Sequence, residues 1–593
     1  MEKELMTGGA FLLRDTRFED VFIPEEFNEE QRMIAQTCQD FLETEIFPNL
    51  DRIDAQEEGL MRSLLGKAGE LGLLGISLPE KYLGFGQSFT TAMLANEKFG
   101  AGYSFSVAYS AHIGIGTCPT SYYGSEEQKE KYLPKLATGE WTAAYCLTEP
   151  NAGSDANAGK TKAVLSEDGK HYILNGQKMW ITNGGFADVL TVFAKIDNDR
   201  VLSAFIVDGH SEGITLNPEE KKMGIKGSST RQIFFNDVKV PVENLIGCRG
   251  GGFRIALDIL HMGRIKLGGI VIGAEKISIT QSVNYANERK QFGSFLSEFA
   301  AIKSKIAEQV IRTFTNESAV YRICQHIDEL KDSYIEKGMD HGKAEIKAIS
   351  QYAIEAAMMK VYGSEVLDFV VDEAVQIHGG MGFSSESKVE RGYRDSRINR
   401  IFEGTNEINR LLTIDSTLKK AMKKEIEIFE MADVILDEIH NIDEHPPIPE
   451  DYYEAKHFYI RGFKKAILMI IGQAYRNLKN QLVQEQEIMM NLADMMMQLY
   501  AAESTALRVE KLEKIHNSPN TPIYRDILDV FIYDAGCRIR KSGMDAIASF
   551  VDGDQFEKMY TGLHTYTRVI PVNVKESRRR IAEKIIEDNR YSL

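Results

Sequence analysis

The sequence predicts an α+β protein of several domains, in which helical segments flank a central β segment. The chain has 593 residues, which is too long for a single hydrophobic core. Apolar residues recur at helical spacing before and after a stretch of short β-prone runs. A proline-rich linker, PPIP at 446–449, precedes the last helical stretch. We therefore expect an N-terminal helical domain, a central antiparallel β domain, a helical-bundle domain and an additional C-terminal helical domain, at residues 27–145, 146–250, 251–431 and 450–593.

The N-terminal domain is predicted from apolar residues at helical spacing near its start: Met33, Ile34, Cys38, Phe41 and Leu42. Residues that break or end helices then recur along the stretch, at Pro79, Gly84, Gly86, Pro119 and Pro134. This punctuation indicates several packed helices rather than one long helix.

The β domain is predicted from short runs of β-branched and aromatic residues at 171–174, 189–193 and 204–207. Turn signals stand beside and between these runs, at Asp168-Gly169, Asn175-Gly176 and Asn183-Gly184-Gly185. Strands joined by tight turns pair in opposite directions, and an antiparallel sheet is therefore expected.

Helical spacing returns after Gly250 and persists to about Met431. The last segment, residues 450–593, is called the tail below, and its residues 492–508 can be aligned without a gap on residues 306–322. The tail has Lys479 where the bundle domain has Arg289, and it lacks the Gln-x-x-Gly-Gly and Glu-Gly-Thr runs of that domain. We interpret the tail as a degenerate duplication with a packing role, and shared helical periodicity is the alternative explanation.

Composition excludes several classes of function. The formal net charge is -17 and Lys and Arg form no long runs, so nucleic acid is not expected as a partner. The cysteines lack CxxC spacing and no His/Cys/Asp group has metal-ligand spacing, which predicts reduced thiols and no metal. The N-terminal residues 1–4 (MEKE) do not start a signal or transit peptide, and no apolar run approaches the ~18 residues of a membrane span. We expect a soluble cytoplasmic protein.

The segment 401–407, IFEGTNE, suggests a catalytic base. Glu403 stands between the apolar Ile401 and Phe402 on one side and Gly404 on the other. A poorly hydrated carboxylate has a raised pKa and is more basic, and glycine permits close approach of another molecule. This setting suits removal of a proton from a weakly acidic carbon.

Four further motifs precede this segment: YCLTEPNAGSD at 145–155, MWITNGG at 179–185, ERKQFG at 288–293 and QIHGGMGF at 376–383. In this order, and closed by Glu-Gly-Thr, they resemble the acyl-CoA dehydrogenase flavoproteins over residues from about 27 to 420. The order of helical, β and helical domains is that of the family, and the tail resembles the very-long-chain branch.

The resemblance implies that Glu403 is the catalytic base, because this chain keeps Glu in the loop. Some family members carry the base on an earlier helix, where this chain has Gly263 and Arg264. The resemblance also implies that the backbone N–H of the base and a ribityl hydroxyl of FAD polarise the thioester carbonyl. A redox cofactor is required because no side chain accepts hydride, and the sequence has no G-x-G-x-x-G after a strand.

The resemblance assigns FAD contacts to two groups of residues. The first group should line or cover the flavin, its pyrophosphate and the adenine side: Tyr145, Leu147, Thr148, Gly153, Ser154, Trp180, Ile181, Thr182, Thr405 and Glu407. The second group should reach the FAD of a neighbouring subunit: Arg289, Phe292, Gln376, Gly379 and Gly380. Positions that should contact the acyl-CoA substrate are Ser154, His261, Arg264, Phe402 and Gly404.

The function expected from this resemblance is FAD-dependent dehydrogenation of fatty acyl-CoA to trans-2-enoyl-CoA in β-oxidation, with electrons passed to electron-transferring flavoprotein. An acyl-CoA oxidase that uses dioxygen and a non-catalytic assembly scaffold are the alternatives.

The tail should block further association of a homodimer, using the methionine-rich face of 489–497. A weaker alternative for the tail is contact with a membrane surface, because apolar residues at 463–471 lie near Arg461, Lys464 and Lys465. A core helix with a solvated basic edge explains this pattern equally simply and is favoured.

Overall fold

The computed structural model describes residues 5–442 and 446–593. The acidic residues 1–4, on which the targeting prediction rests, lie outside the described residues. The N-terminal domain contains the helices α1 (Glu29–Phe41), α2 (Leu50–Asp54), α3 (Leu60–Glu70), α4 (Phe89–Phe99), α5 (Ser104–Ser110), α6 (Cys118–Tyr123) and α7 (Glu126–Ala137). A capping box begins α1, in which the Asn28 side chain accepts from Gln31 N at 2.8 Å and Gln31 returns the bond to Asn28 N at 2.9 Å.

The central sheet contains the strands β1 (Ala143–Cys146), β2 (Lys162–Leu165), β3 (His171–Thr182), β4 (Val189–Ile196), β5 (Ser203–Asp208), β6 (Ile214–Leu216), β7 (Thr230–Pro241) and β8 (Leu245–Ile246). Their order is β6-β7-β3-β2-β4-β5-β8, with β1 beside β4. Most neighbours are antiparallel, as predicted, but β1 and β2 both run parallel to β4. The reason is that β2 and β3 alternate in direction, so that the next strand, β4, runs the same way as β2.

The helical-bundle domain begins with α8 (Gly252–Glu288), a short hairpin of β9 (Lys290–Gln291) and β10 (Ser294–Phe295), and α9 (Ala300–Glu336). It continues with α10 (His341–Gln351), α11 (Ala353–His378), α12 (Lys388–Ser396), α13 (Asn406–Met422) and α14 (Ile428–Glu438). The tail contains α15 (Tyr452–Leu478), α16 (Gln486–Lys514), α17 (Thr521–Ala548), α18 (Gly553–Tyr566) and α19 (Val574–Asp588). The α+β fold class with an extra helical C-terminal region is therefore confirmed.

An N-terminal arm, residues 5–27, lies between the bundle domain and the tail. Phe11 and Leu12 are buried, and the ring of Phe11 meets that of Tyr500 edge-on at 5.0 Å. Lys511 of α16 donates to the carbonyl of Val21 at 2.6 Å. Gly9 N of the arm donates to Oε1 of Glu355 in α11 at 2.7 Å, so the arm contacts both the tail and the bundle domain.

Two expectations from composition can be compared with the structure. All six cysteines are free thiols, four of them buried. Along the described ranges, no helix combines the length and apolar character that crossing a bilayer requires, and no cluster of His, Cys, Asp and Glu could hold a metal ion. The cytoplasmic location stays a prediction.

Candidate active site

The predicted base lies in a turn that joins two helices. After α12, a 3-10 turn at Arg397–Arg400 leads to Glu403 and Gly404, and α13 begins at Asn406. Glu403 has φ +59° and Gly404 has φ +84°. A glutamate in the left-handed region is strained, and such strain persists only where the surroundings hold it.

Two side chains hold the carbonyl oxygens of this turn. Arg264 of α8 donates from Nε to the carbonyl of Glu403 at 3.2 Å. Asn409, in the first turn of α13, donates from Nδ2 to the carbonyls of Gly404 at 2.8 Å and Thr405 at 3.1 Å. The carbonyls are therefore fixed from α8 and α13 at once, which stabilises the strained backbone.

The carboxyl group of Glu403 is poorly solvated. Its Oε2 atom is inaccessible to solvent and finds no hydrogen-bond partner in the described part of the chain. Burial raises the pKa of Glu403 to about 7, while the positive charges of Arg264 and Lys360 act to lower it. The raised pKa agrees with the prediction of a strong base.

The source of this desolvation differs from the prediction in part. Ile401 is 48 % exposed and contributes little shielding, whereas Phe402 is half-buried beside Glu403. The α8 backbone also approaches the carboxylate closely, because a Cβ added to Gly263 would lie 2.7 Å from Oε2 of Glu403. The turn bends Ile401 outward, and a glycine far away in sequence makes room for the carboxylate.

Glu403 lines a cavity of about 1030 Å³, a volume that includes space open to solvent. The walls come from α5 and the turn after it, from α8 and from α11. Tyr103, Ala274 and Ser278 lie among its lining residues, and Phe402 and Glu403 line it as well. A mostly apolar cavity with a carboxylate suits a long apolar ligand that carries one reactive polar group.

The sequence analysis did not identify most residues of the cavity wall. Val107, Ala111 and Gly114 line it from the N-terminal domain, and Leu267 and Val271 line it from α8. The available signal was the run of small residues at helical spacing in 107–114, because small side chains leave space between packed helices.

Several predicted flavin residues lie at the C-terminal ends of β1 and β3, and one of them, Thr182, lines this cavity. The Oη atom of Tyr145 is buried without a hydrogen-bond partner among the residues described. Burial raises the pKa of the Tyr145 hydroxyl, and the negative charge of Glu403 raises it further, which places the two groups near each other. Trp180 is 53 % exposed at a bulge of β3, with φ +60°.

Other members of this group present backbone rather than side chain. The side chain of Ile181 is 2 % exposed and packs into the core of the sheet, so its predicted role of covering the flavin can involve only its backbone. The bulge between Lys178 and Ile181 explains the difference, because it changes which side chain faces outward. Leu147 is also buried, and the carbonyl of Thr148 accepts from Met179 N at 2.9 Å.

Gly153 and Ser154 lie in an exposed loop after β1. A Cβ at Gly153 would meet no heavy atom within 4 Å, so the loop leaves open space for a ligand. Thr405 and Glu407 lie at the start of α13, where the Thr405 hydroxyl already accepts from Ile408 N at 3.3 Å as the N-cap. Glu407 is exposed.

The second predicted FAD group lies on a separate exposed surface. The end of α8, the β9–β10 hairpin and the end of α11 meet there, joined by stacked rings of Tyr285 and His378 with centroids 4.2 Å apart. This surface, called the 289–380 face below, carries the five predicted residues Arg289, Phe292, Gln376, Gly379 and Gly380, all exposed. The fold therefore brings these five residues together.

The remaining predicted substrate residues surround Glu403. Arg264 is 4 % exposed, and its Nη1 lies 3.3 Å from Nδ1 of His261. Burial and the Arg264 charge lower the pKa of His261 to about 3, so this imidazole is neutral at physiological pH. Gly404 faces Arg264 and Asn409, since a Cβ there would lie 3.1 Å from Nδ2 of Asn409.

The residues present fit a bound FAD. The exposed indole of Trp180, the unpartnered hydroxyl of Tyr145 and the open space at Gly153 lie on one side of the site, and Gly379 and Gly380 also leave open space. Such a combination of exposed aromatic, free polar atom and accessible backbone is typical of a ligand site.

Comparison with known proteins agrees with this geometry. Three family descriptions for the N-terminal, middle and C-terminal domains of acyl-CoA dehydrogenases match residues 28–140, 144–238 and 250–418, and a second C-terminal domain description matches 462–565. A probable acyl-CoA dehydrogenase of Bacillus subtilis is 43% identical over 590 residues, covering 100% of this chain and 99% of the relative. This chain belongs to the acyl-CoA dehydrogenase family.

Two further acyl-CoA dehydrogenases support the assignment. The human mitochondrial very long-chain specific acyl-CoA dehydrogenase is 34% identical over 566 residues, covering 89% of this chain and 81% of the relative. The crystal structure of an acyl-CoA dehydrogenase from Bacillus anthracis complexed with FAD has a TM-score of 0.96 and 43% identity, covering 99% of this chain and 100% of that one. The protein is an FAD-dependent oxidoreductase of this family.

Proposed function

We propose that this enzyme converts fatty acyl-CoA thioesters to trans-2-enoyl-CoA in β-oxidation, with Glu403 as the catalytic base. The observation that carries the proposal is the Glu403 carboxylate, which lines an apolar cavity and whose Oε2 atom is buried without a hydrogen-bond partner among the described residues. A base with a pKa near 7 is partly ionised at neutral pH and still basic enough to accept a proton from carbon.

Different groups at the turn have different roles in the reaction. The Glu403 carboxylate removes the proton next to the thioester carbonyl, and its backbone N–H donates to that carbonyl, which stabilises the developing negative charge. The Arg264 and Asn409 contacts keep the turn in place while this happens. The Tyr145–Thr182 side of the site and Arg289 of a neighbouring subunit would hold FAD, which would supply the hydride acceptor.

The cavity supports a long, straight acyl chain as the substrate. Its walls are largely apolar, and small residues such as Ala111 and Gly114 leave the passage between α5 and α8 open. Burial of each CH₂ contributes about 0.8 kcal/mol, so acyl chains that extend along the cavity should bind more tightly than short ones. The name of the human relative, very long-chain specific, agrees with this proposal.

We propose electron-transferring flavoprotein as the acceptor of electrons. An exposed apolar patch supports a protein partner: Leu71, Leu83 and Phe85 are 50 %, 60 % and 45 % exposed. Phe85 packs against the neighbouring segment, because its ring covers Gly72 and its N donates to the carbonyl of Gly75 at 3.0 Å. Exposed apolar patches of this kind mark protein contact sites.

We propose that the protein is a homodimer in which the 289–380 face meets the partner. Phe292 is 96 % exposed and Phe383 is 87 % exposed at this face. Large apolar side chains in this position are unfavourable in water and become buried when a second copy covers them. Light scattering should give the mass of a dimer at low concentration, and a tetramer would contradict the proposed blocking role of the tail.

The function is tested by anaerobic titration of the purified flavoprotein with saturated acyl-CoAs of graded length. Bleaching of the flavin absorbance by long-chain substrates, followed by reoxidation with electron-transferring flavoprotein, is expected. Rapid peroxide formation in air without that acceptor would favour the oxidase alternative. A protein that binds FAD but is not bleached by any acyl-CoA would contradict the proposal.

A further inference from the structure

The mechanism makes no use of a lysine that is fully buried beside the catalytic turn. Lys360 of α11 is 0 % exposed, and its Nζ donates to Oδ1 of Asn406 at 2.8 Å. Asn406 is itself 2 % exposed and is the first residue of α13. Burial of an ammonium group is costly, so a buried lysine with one hydrogen bond within the described ranges calls for a specific role.

Asn406 ties the start of α13 to α11 at several points. Its Nδ2 donates to Oγ of Ser364 and to Oε1 of Glu365, at 3.1 Å in each case. Its Oδ1 accepts from Lys360 and, at 3.3 Å, from Oγ of Ser364. Asn406 therefore uses both ends of its amide to anchor the helix that follows Glu403.

This anchor controls the position of the base through a short stretch of chain. Only Gly404 and Thr405 separate Asn406 from Glu403, and Glu403 and Gly404 have left-handed backbone. A shift of the first turn of α13 is thus transmitted to the Glu403 carboxylate within three residues. Positioning errors of about 1 Å can lower a catalytic rate by about 10²-fold.

The charge of Lys360 favours the basic form of Glu403, in addition to the hydrogen bond that holds Asn406. The charged groups that face Lys360 are Glu403, Arg264 of α8, Glu407 of α13 and Glu365 of its own helix. Burial lowers the pKa of Lys360 to about 7, and the Glu403 charge opposes this change. Reciprocally, Lys360 and Arg264 lower the pKa of Glu403, so the ammonium favours the ionised, basic form of the carboxylate.

We propose that Lys360 is a positioning residue for Glu403, which it holds in place through Asn406 and whose negative charge it stabilises. The proposal rests on the proposed function of Glu403 as the base. Lys360 contacts the turn and not the reacting atoms, so its loss should affect the catalytic step and leave substrate binding nearly unchanged.

The test is Lys360→Met in the full-length FAD-loaded enzyme. We expect kcat to fall by about 10- to 100-fold with KM within about two-fold, because the base is displaced while the cavity is intact. The acid limb of the kcat/KM profile should move to higher pH, since Glu403 loses a charge that lowers its pKa. Lys360→Arg, which retains the charge and a donor, should restore part of the rate.

Lys420→Met is the matched control. Lys420 also has a pKa lowered by burial, but it donates to the carbonyls of Gly8 and Gln351, away from the turn. Amide hydrogen exchange over residues 403–409 gives a readout independent of turnover, and it should accelerate in Lys360→Met and not in Lys420→Met. Asn406→Ala should reproduce the fall in kcat, and Lys360→Met added to it should cost little more.

Two results would overturn the proposal. One is a Lys360→Met enzyme with parental kcat, pH profile and exchange in the turn. The other is an equal fall in kcat for Lys360→Met and Lys420→Met, which would indicate only a general loss of stability. Failure of the proposed function is recognised separately, because Glu403→Gln would then retain activity whatever Lys360→Met does.

Discussion

The bundle domain and the tail have similar helical arrangements, but the candidate catalytic turn with Glu403 lies in the bundle domain. Both regions contain three long helices: α8, α9 and α11 in the bundle domain, where the short α10 precedes α11, and α15, α16 and α17 in the tail. Both regions match a description of an acyl-CoA dehydrogenase C-terminal domain. The Glu-Gly-Thr turn, with its strained Glu403, occurs only in the bundle domain.

The aligned residues of the two regions face each other across the α9–α16 contact. Arg322 of α9 pairs with Glu503 at 2.8 Å and donates to Ser504 Oγ at 3.2 Å. In the reverse direction, Arg508 of α16 pairs with Glu317 at 2.8 Å and donates to Ser318 Oγ at 3.2 Å. This set is called the arginine clasp below.

The clasp also repeats an aromatic contact. The guanidinium of Arg322 lies 4.9 Å from the ring centroid of Tyr500, and that of Arg508 lies 4.0 Å from the ring centroid of Phe314. Shared helical periodicity would not place equivalent residues in reciprocal contact, as occurs when the same surface is used on both sides of a two-fold interface. The clasp supports the interpretation of the tail as a duplication that kept its packing face and lost its site.

The largest expected effect is the loss of turnover when the carboxylate of Glu403 in the bundle domain is removed. Glu403→Gln should lower turnover by at least about 10²–10⁴-fold while the protein retains FAD, because the amide keeps the shape and loses the base. In the parent enzyme, kcat/KM should rise as pH increases through about 7, the pKa of Glu403, because only the ionised carboxylate accepts a proton. Steady-state rates from pH 5 to 9 measure both effects.

Glu557→Gln, which removes an exposed carboxylate of the tail, is the control for this variant. It should have parental activity at every pH. A Glu403→Gln enzyme with activity close to that of the parent would exclude Glu403 as the base.

The second effect concerns FAD retention and uses equivalent positions in the two regions. Arg289→Ala should release FAD on dialysis, because the exposed guanidinium of the 289–380 face would no longer meet a pyrophosphate across the subunit interface. Lys479→Ala, at the aligned position in the tail, should retain its FAD. Absorbance of the bound flavin per chain after dialysis measures the difference, and equal retention by both variants would contradict the assignment of Arg289.

The third effect tests the arginine clasp through stability. In the described part of the chain, Arg508 pairs with Glu25 of the N-terminal arm as well as Glu317, whereas Arg322 pairs with one carboxylate, that of Glu503. Breaking a buried ion pair by removal of one partner costs about 3–5 kcal/mol. Arg508→Met should therefore lower the unfolding temperature more than Arg322→Met, as measured by calorimetry of the full-length protein.

The opposite order, or no change in either variant, would show that the clasp does not hold the tail. Retention of the rate at 25 °C in both variants would indicate that the clasp acts on stability and not on the active site.

Features of this molecule that arise from residues close together in sequence could be predicted, whereas features that arise from residues distant in sequence could not. The domain order and the raised pKa of Glu403 were predicted because helical spacing and the segment 401–407 are local signals. The shielding by Gly263 was not predicted, since it joins residues distant in sequence. The N-terminal arm was missed because its short apolar runs have no periodicity, although Phe11 and Leu12 are fully buried against distant helices.

The smallest expected effect concerns a polar connection from the tail to the catalytic turn. Asp494 of α16 accepts from Nε of Arg410 at 2.7 Å, and Arg410 holds Glu365 with two hydrogen bonds at 2.8 and 3.0 Å. Glu365 in turn accepts from Asn406 at the start of α13. Through Arg410 and Glu365, the tail therefore supports the helix that follows Glu403.

Asp494→Asn should lower kcat only about two- to five-fold, because Glu365 keeps its bidentate contact with Arg410 and a weakened remote support displaces the base little. KM and the pKa seen in the kcat/KM profile should not change, since no charge next to Glu403 is removed. The matched control is Asp545→Asn, which breaks the exposed pair of Asp545 with Lys541 on α17 of the tail. Equal kcat values for the two variants at 25 °C would show that the tail contributes packing alone, whereas a fall confined to Asp494→Asn would show that it also steadies the active site.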